Sequence, residues 1–397
     1  MSGPFQLAWR YVWHHKIKSL ILIASIVLTV LLPVTIRILL WQFNQKIVSR
    51  ADATPAVVGA TGSDLDLALN ATYFRDNQDL KPIRYDELLY VEETGLATAI
   101  PIHARFTARS FRVVGTSLDY FDFRGLEVGD GAAFGTLGDC VLGSDVAAKL
   151  GLRPGQQLES DRRNPLAFAG ETPLRMTVAG VLKRSGSPDD RSVFVDVKTT
   201  WVIEGLGHGH EDLSDAGEDS VQVLKKTDKQ IIASPGVTEF IEITDKNIGS
   251  FHFHGSVEEF PLTAMIVVAQ SEENETILEG KYQTDTSRVG KQLARPPVVI
   301  RELMGMVFRV NRFFEANSLL IGLATGMLLL LVVVLSLRLR AREMETMFRI
   351  GCSRSTIVSL QLCELVIIFA AAVVILAGLI AWIWSISGGV VQSLLIG

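Results

Sequence analysis

The sequence predicts a membrane protein with three transmembrane α-helices and a large α+β extracytoplasmic domain inserted between helices 1 and 2. Two observations predict this fold class. The 397-residue chain is 48% hydrophobic, which is too apolar for a soluble protein of this size. Three stretches, residues 19–40, 318–337 and 365–386, are also long enough to cross a hydrocarbon layer of roughly 30 Å, which takes about 20 apolar residues in a helix.

The first stretch is the least regular of the three, because it contains Pro33 and Arg37. Arg37 lies near the outer end of the span, where its long side chain can reach the polar interface, and Trp41 lies at the matching depth. A cleaved signal peptide is the alternative, since basic residues precede the apolar run. The run is too long for that alternative, and no small-residue cleavage site follows it before Gln42.

The orientation follows from the basic residues at the ends of the spans. They lie before span 1 and between spans 2 and 3, at Arg10, Lys16, Lys18, Arg338, Arg340, Arg342, Arg349 and Arg354. Cytoplasmic segments carry an excess of Lys and Arg, so both regions are predicted to be cytoplasmic and the region between spans 1 and 2 extracytoplasmic. The formal net charge of -5 gives no basis for a nucleic-acid-binding surface.

This topology divides the chain into eight parts. They are an interfacial amphipathic helix on the cytoplasmic side (1–16), transmembrane helix 1 (17–42), the extracytoplasmic (periplasmic) α+β domain (43–298), a stalk helix (299–317), transmembrane helix 2 (318–338), a cytoplasmic loop (339–361), transmembrane helix 3 (362–386) and an extracytoplasmic tail (387–397). An apolar face that includes Trp9 and Trp13 indicates the interfacial helix. The alternative is that this segment is only a charged flank of span 1.

Short runs rich in Val, Ile, Phe and Thr, separated by Gly and Pro turn signals, indicate strands in the outer domain. We predict strands at residues 56–58, 105–115, 139–142, 174–181, 192–197, 240–244 and 262–269, and helices at 85–94 and 144–150. This order is typical of one α+β domain or of two small ones. Residues 299–314 have apolar positions at intervals of three and four, which predicts a helix that runs without a break into span 2.

Two segments, in the same order along the chain, resemble the MacB/FtsX-type ABC transporter permeases of the type VII superfamily. Residues 141–156 (VLGSDVAAKLGLRPGQ), 176–182 (MTVAGVL) and 189–195 (DDRSVFV) are similar to the periplasmic core domain of that family. Residues 338–364, with REME at 342–345 and FRIGCSRSTI at 348–357, resemble the loop that these permeases place after their second span. Together with the order of the spans, the resemblance covers most of the chain.

The resemblance implies a permease subunit in a bacterial inner membrane that works with a homodimeric ABC ATPase and with a second permease copy or a related permease. ATP hydrolysis would move the outer domain, without necessarily passing a substrate between the spans. The sequence has no GxxxxGK[ST] loop for nucleotide phosphates, so ATP and Mg²⁺ are expected in the ATPase, and the chain itself is not expected to be an enzyme. Membrane lipids and a periplasmic protein are further expected partners.

The loop after span 2 contains the residue types that are needed for contact with an ATPase subunit. A short helix there offers charges and apolar side chains to a partner's groove, and a glycine permits the sharp turn to the next helix. We therefore predict an ATPase-coupling site formed by Arg342, Glu343, Met347, Phe348, Arg349, Gly351 and Arg354. The alternative is a charged loop that only fixes the topology.

The sequence departs from the family pattern after span 3. The family has a fourth span that returns the C-terminus to the cytoplasm, whereas only residues 387–397 follow span 3 here, which is too short a segment to cross. We expect either a truncated chain or a helix bundle that is completed differently.

Two histidine pairs in the outer domain suggest metal binding. The pairs are His208 and His210, and His252 and His254. Residues two apart on a strand project from the same face, so each pair could present two imidazoles to one ion. Acidic residues follow both pairs, and imidazole together with carboxylate suits zinc better than calcium. The alternative is that these side chains are only solvated.

Three functions are compatible with the sequence. The first is the permease, in a system that handles or senses a transition metal such as zinc. The second is a membrane-anchored sensor or scaffold that binds a metal or a protein without any ATPase. The third is a membrane enzyme with a histidine-bound metal, for which Glu211 beside His210 is the only candidate base; the sequence has no HExxH motif.

Overall fold

The structure is a computed structural model that describes residues 3–75, 80–162, 173–209, 223–227, 230–233, 241–339 and 341–396. Within these residues there are eleven α-helices. Their bounds are Gly3–His14 (α1), Lys16–Asp52 (α2), Asp64–Tyr73 (α3), Asp86–Glu93 (α4), Asp119–Arg124 (α5), Ser144–Leu150 (α6), Val197–Ile203 (α7), Glu272–Thr284 (α8), Pro296–Leu339 (α9), Ala341–Arg349 (α10) and Arg354–Ile396 (α11).

The same residues form sixteen strands, most of them short. Their bounds are Ala56–Ala60 (β1), Ile83–Arg84 (β2), Ala97–Ala108 (β3), Phe111–Thr116 (β4), Val128–Gly131 (β5), Asp139–Leu142 (β6), Gln157–Glu159 (β7), Arg175–Leu182 (β8), Ser192–Asp196 (β9), Gly207–Gly209 (β10), Val223–Thr227 (β11), Gln230–Ala233 (β12), Phe251–Phe253 (β13), Pro261–Leu262 (β14), Ala264–Ala269 (β15) and Lys291–Ala294 (β16). The chain divides into a helical unit, within residues 1–47 and 302–394, and a sheet unit, within Val48–Arg301.

Three described helices, α2, α9 and α11, are long and apolar enough to cross a membrane, in agreement with the predicted fold class. Helix α9 runs unbroken from Pro296 through the predicted stalk and span 2, and proline is well suited to the first turn of a helix. Helix α11 continues to Ile396, so residues 387–396 of the predicted tail are helical.

Contacts inside the helical unit join α2 to α11 and α1 to α11. The rings of Trp41 and Trp384 stack with their centroids 5.5 Å apart, and the Lys46 ammonium donates a hydrogen bond to the carbonyl of Gly388 at 3.0 Å. Toward the other end of α11, Ala8 of α1 packs with Leu360 and Ile367. Paired tryptophans of this kind are common where a helix bundle meets the polar interface of a bilayer.

The sheet unit is built on a ten-stranded mixed sheet. Nine of its strands follow the order β16-β1-β15-β3-β4-β9-β6-β8-β5, and β7 pairs with β8. The pairs β4/β9 and β6/β8 are parallel, and the other neighbours are antiparallel. A sheet that is buried on both sides carries apolar residues on both faces, and β1 does so: Val57 packs in one hydrophobic cluster and Ala56 and Val58 pack in another.

Helices cover both faces of this sheet. Leu67 of α3 belongs to the cluster that contains Val57, whereas Leu88 of α4 and Leu278 of α8 belong to the cluster that contains Val58. Of the two helices predicted in the outer domain, 85–94 corresponds to α4 and 144–150 to α6. Four further helices, α3, α5, α7 and α8, were not predicted.

The predicted strand at 105–115 is wrong, because the structure has a hairpin there. Strand β3 ends at Ala108, β4 begins at Phe111, and the chain turns at Arg109 and Ser110, which both have positive φ angles of 50° and 68°. The Asp161 carboxylate accepts hydrogen bonds from both turn amides, at 2.9 Å each. A tight turn without glycine or asparagine carries no turn signal in the sequence, so a partner distant in sequence stabilises this one.

The predicted strand at 240–244 is also not formed among the described residues 241–244. They make only an isolated bridge, between Arg175 and Glu242. Within the described residues the segment meets β8 only at its first residue, Arg175, and an apolar run forms a strand only where a neighbouring strand can pair with it.

Replacement of Gly143 tests whether close packing at this position stabilises the sheet unit. The residue precedes α6, and a Cβ atom built on it would lie less than 3.0 Å from the main-chain oxygens of Asp189 and Asp190. Main-chain atoms cannot rotate away, so we expect Gly143→Ala to lower the free energy of unfolding by about 1–3 kcal/mol. The measurement is urea unfolding of the full-length protein in detergent, followed by tryptophan fluorescence.

The matched control is Gly135→Ala, because a Cβ atom on Gly135 meets no atom within 4 Å and its backbone lies outside the left-handed region. Equal unfolding midpoints for the two variants would show that the close approach at Gly143 is not a constraint.

Candidate functional site

The loop after α9 forms a helical hairpin, which we call the α10 hairpin and define as residues 341–354. Helix α10 ends at Arg349, and Gly351 reverses the chain with a φ of 106°, as the sequence predicted for a sharp turn. The amide of Cys352 donates to the carbonyl of Met347 at 3.0 Å, and the Ser353 hydroxyl accepts from the amide of Thr356 at 3.2 Å to begin α11.

The outer surface of the α10 hairpin presents two large apolar side chains among charges. Phe348 is 49% exposed and Ile350 is 79% exposed. The guanidinium of Arg354 lies over the Phe348 ring, 5.4 Å from its centroid, and Arg349 forms an ion pair of 2.6 Å with Glu345. Exposed apolar residues framed by charges are typical of a protein-binding surface. Ile350 is not among the residues predicted for this site, although it lies inside the motif at 348–357.

The other predicted residues of this site have different surroundings. Met347 packs against the cluster of Ala8, Leu360 and Ile367, so it faces the helical unit and is not an anchor on the outer surface. Arg342 is exposed. Glu343 lies in α10, but its side chain is outside the described part of the chain.

A buried ion pair fixes the end of helix α2 in the sheet unit. The guanidinium of Arg50 donates two parallel hydrogen bonds to the Asp189 carboxylate, at 2.7 and 2.9 Å, and one to the carbonyl of Thr72 at 2.6 Å. Tyr120 accepts from Arg50 at 2.9 Å and donates to Asp189 at 2.8 Å. We call these residues, with Ser187, which donates to Asp189 at 2.6 Å, the Arg50 network.

The Arg50 network is buried and charged. The side chains of Arg50 and Asp189 are 9% and 1% exposed. Burial alone would raise the pKa of the Asp189 carboxyl, but attraction to Arg50 and hydrogen bonds from Arg50, Ser187 and Tyr120 outweigh it and hold that pKa below its usual range. Burial raises the pKa of Tyr120 to about 12, so its hydroxyl remains a donor.

The low pKa of Asp189 makes the network a source of stability at neutral pH. The unfolded chain binds a proton at Asp189 more readily than the folded chain does, so the contribution is complete above a pH of about 4. The contribution to stability decreases as the pH falls below about 4, and it is lost once the pH has fallen through the depressed pKa of Asp189 in the folded chain. No local sequence pattern indicates this network, because Arg50 and Asp189 are far apart along the chain.

The start of α9 is tied to the sheet unit by a second set of contacts. Arg295 forms ion pairs with Glu275 and Glu279 of α8, at 3.0 and 2.9 Å. Arg301 of α9 pairs with Asp52 of α2 at 2.8 Å. These pairs are partly exposed and therefore weaker than the Arg50 network.

Three of the four predicted histidine ligands come together on one face of a two-stranded ribbon. Strands β10 and β13 pair antiparallel with His208 opposite His252, and the amide of His254 donates to the carbonyl of Leu206. Each of the three side chains has a ring nitrogen within 4.8 Å of the others. His210 lies outside the described residues. We call β10, β13 and His254 the histidine ribbon.

The reverse face of the histidine ribbon packs into the sheet unit. Phe253 contacts Trp201 and Phe260, and the Trp201 indole donates to the carbonyl of Pro261 at 2.9 Å. The rings of Phe253 and Phe251 cover Gly207 and Gly209, where a Cβ atom would clash with them. The glycines on either side of His208 thus permit this packing, and the histidines point the other way.

The acidic residues near the pairs do not join the cluster in the described part of the chain. Glu259 pairs with Arg84 at 2.5 Å, and no carboxylate belongs to the group formed by the three histidines. The acidic run from Glu211 to Asp219, which includes the candidate base of the enzyme hypothesis, lies outside the described residues.

Long apolar helices that precede and follow a sheet domain in the sequence define a class of membrane-anchored proteins with one large inserted domain. The family model of the MacB-like periplasmic core domain matches residues 19–233, more than half of the chain. The chain therefore belongs to this family, and it is an ABC transporter permease of the MacB/FtsX type. Proteins of this family are inner-membrane transporter components with a periplasmic domain.

Two solved structures are among those similar to the chain. The periplasmic region of MacB from Actinobacillus actinomycetemcomitans is 10% identical, with 65% of this chain and 98% of that chain covered and a TM-score of 0.39. The extracellular domain of the noncanonic ABC-type transporter YknZ from Gram-positive bacteria is 13% identical, with 60% and 98% covered and a TM-score of 0.32. The family assignment rests on the family model and not on these alignments. No curated protein sequence matches the chain.

Removing one partner of the Arg50 network leaves a charge buried without compensation. We expect Arg50→Met and Asp189→Asn each to lower the free energy of unfolding by about 3–5 kcal/mol. The double variant should lose less free energy of unfolding than the two single variants lose together, because the second change removes the uncompensated charge. Urea unfolding of the full-length protein in detergent measures all three.

The control is Lys183→Met, which breaks an exposed pair with Glu127 and should have little effect. Losses at Arg50 and Asp189 that simply add would show that the two side chains do not act as a pair.

Proposed function

We propose that this permease couples ATP hydrolysis by a separate, homodimeric ABC ATPase to movement of its extracytoplasmic domain. The observation that carries the proposal is the exposed pair Phe348 and Ile350 on the α10 hairpin, framed by Arg349 and Arg354. A short helix with two apolar anchors and a basic rim fits a groove on a partner protein. ATP and Mg²⁺ bind in that partner, because the sequence of this chain has no phosphate-binding loop.

Packed side chains connect α10 to neighbouring helices, so a force applied to α10 would reach those helices. Met347 contacts the cluster of α1 and α11, and the Gln361 amide of α11 lies 3.8 Å from the sulfur of Met344. Helix α9, which precedes the hairpin, continues for 44 residues without a break. A displacement of α10 is thus passed to neighbouring helices by packed side chains.

The Arg50 network provides the corresponding connection in the sheet unit. Helix α2 is a single helix from Lys16 to Asp52, and its last turn is held by Asp189, Tyr120 and Thr72. An axial or rotational movement of α2 therefore acts on the core of the domain and not on a loose linker. A second permease copy and membrane lipids complete the proposed assembly, in the cytoplasmic membrane of a bacterium with the sheet unit in the periplasm.

Loss of the two apolar anchors should separate the permease from its ATPase. We expect Phe348→Ala with Ile350→Ala to weaken binding of the co-purifying ATPase at least about tenfold, since truncating a buried interface anchor costs about 2 kcal/mol or more. ATPase activity of the complex should fall to that of the ATPase alone. Binding is measured by surface plasmon resonance with the permease in nanodiscs.

Ile277→Ala is the control, because Ile277 is 50% exposed on α8 of the sheet unit. Undiminished ATPase binding by the double variant would exclude the α10 hairpin as the docking site. A chain that binds no ATPase at all would favour the alternative, a membrane-anchored sensor or scaffold.

A second candidate function is that the system handles or senses a transition metal, with zinc as the first candidate. Support comes from the three imidazoles that meet on the histidine ribbon. The metal would then act on the sheet unit, which the ATPase is proposed to move.

This candidate makes a separate prediction about ATPase activity. Micromolar Zn²⁺ should change the ATPase rate of the nanodisc complex at least about twofold. An ion that binds one conformation of the permease more tightly than another shifts the equilibrium between those conformations. Mg²⁺ is kept constant, and the His208→Ala complex is the control. A rate that is independent of Zn²⁺ in the unmodified complex would exclude metal regulation of the motor.

A further inference from the structure

We infer that the histidine ribbon binds one late first-row transition-metal ion through His208, His252 and His254. At least one coordination position of the ion is left for a ligand that these three do not supply. The inference deepens the metal-handling candidate above and is independent of ATPase coupling. It rests on the spacing of the ring nitrogens, on their chemistry and on the rigidity of the ribbon.

The spacing of the three rings is close to that of a metal site. Zinc binds imidazole nitrogen at about 2.0–2.1 Å, so two ligands of a tetrahedral ion lie about 3.3 Å apart. The Nε2 atoms of His208 and His254 are 3.4 Å apart, and all three ligand atoms lie within 4.8 Å of one another. His252 and His254 are exposed, so small rotations of their rings can bring the third nitrogen into place.

The donor set selects the kind of ion. Imidazole suits zinc, copper(II) and nickel(II), whereas calcium and magnesium prefer carboxylate and carbonyl oxygen. The group of three contains no cysteine or carboxylate, so it does not favour copper(I) or a hard cation. A contact to the main chain also orients one ring: Nδ1 of His252 lies 3.1 Å from the carbonyl of Ser250.

Strand pairing and aromatic packing fix the side of the ribbon on which the imidazoles lie. His208 faces His252 across the strand pair, and His254 follows two residues later on the same side. The aromatic residues on the reverse face pack against Trp201 and Phe260. This packing determines which face of the ribbon carries the histidines. Three rings with centroids 4.7–5.1 Å apart on a strand pair that is packed into the core form a prearranged ligand set.

The three described ligands leave at least one coordination position of the ion for another donor. A structural zinc site is closed by four protein ligands, whereas sites that exchange a ligand keep a position open. The exposure of His252 and His254 places the ion at the protein surface, where water, a small anion or a donor from another molecule can complete its coordination. We therefore assign an exchangeable ion, not a buried structural one.

The test uses the full-length protein in detergent, stripped with a chelator and titrated with Zn²⁺, Ni²⁺, Cu²⁺ and Mg²⁺ by isothermal titration calorimetry. We expect one equivalent of Zn²⁺ per chain, no detectable Mg²⁺ binding, and a rise of roughly 5 °C in the unfolding midpoint at saturating Zn²⁺. His208→Ala, His252→Ala and His254→Ala should each weaken Zn²⁺ binding at least about tenfold. Their unfolding midpoints without metal should equal that of the unmodified chain.

The double variant His14→Ala/His15→Ala is the control, because it removes two exposed histidines of the helical unit and leaves the ribbon intact. Zn²⁺ binding that is unchanged in the three ribbon variants, or equally reduced in the control, would overturn the site. Replacement by Co²⁺ tests the open position: added azide should change the visible spectrum of the bound cobalt, and a spectrum insensitive to azide would overturn that part of the inference.

These outcomes separate the inference from the proposed function. Absence of Zn²⁺ binding removes the site and the metal-handling candidate but leaves ATPase coupling standing. Zn²⁺ binding with an unresponsive ATPase keeps the site and removes only its effect on the motor.

Discussion

The buried pair of Arg50 and Asp189 is the interaction on which the sheet unit depends most. Each charge would be costly alone in this buried environment, so the two stabilise the fold only together and only in one geometry. The same carboxylate accepts from Tyr120 and Ser187, which leaves it little freedom to accept another partner. The end of α2 therefore has one defined position in the sheet unit, which the proposed transmission of movement through α2 would require.

The segment around Asp189 explains two of the motifs that resemble the permease family. Gly143 can approach the main chain at Asp189 and Asp190 only because it lacks a side chain. The carboxylate of Asp190 accepts from the amides of Ser185 and Gly186, which shapes the turn that presents Asp189 to Arg50. The two motifs are separated in sequence, but they pack against each other and hold Asp189 in place for the Arg50 network. Close packing explains why position 143 is a glycine.

Local patterns predicted the features that depend on neighbours in sequence. The long helices, the unbroken α9, the turn at Gly351 and helices α4 and α6 follow from periodicity and glycine alone. The hairpin at Arg109 and Ser110 did not, because Asp161 stabilises it from a distance. Sequence patterns also could not show that Met347 faces inward, or that Arg50 meets Asp189. The histidine pairs were visible, but only the strand register brings three rings together.

One short stretch of chain joins the Arg50 network to the histidine ribbon. The turn that carries Asp189 leads directly into β9, a strand with hydrogen-bonded neighbours on both sides, and β9 leads into α7, whose Trp201 packs beneath Phe253 of the ribbon. The residues that connect these elements, Asp189, Phe194 and Trp201, are buried, and closely packed side chains deform little under load. If the proposed coupling moves α2, a displacement at Arg50 would reach the histidines through one strand and one helix, and an ion bound there would resist or favour it through the same elements.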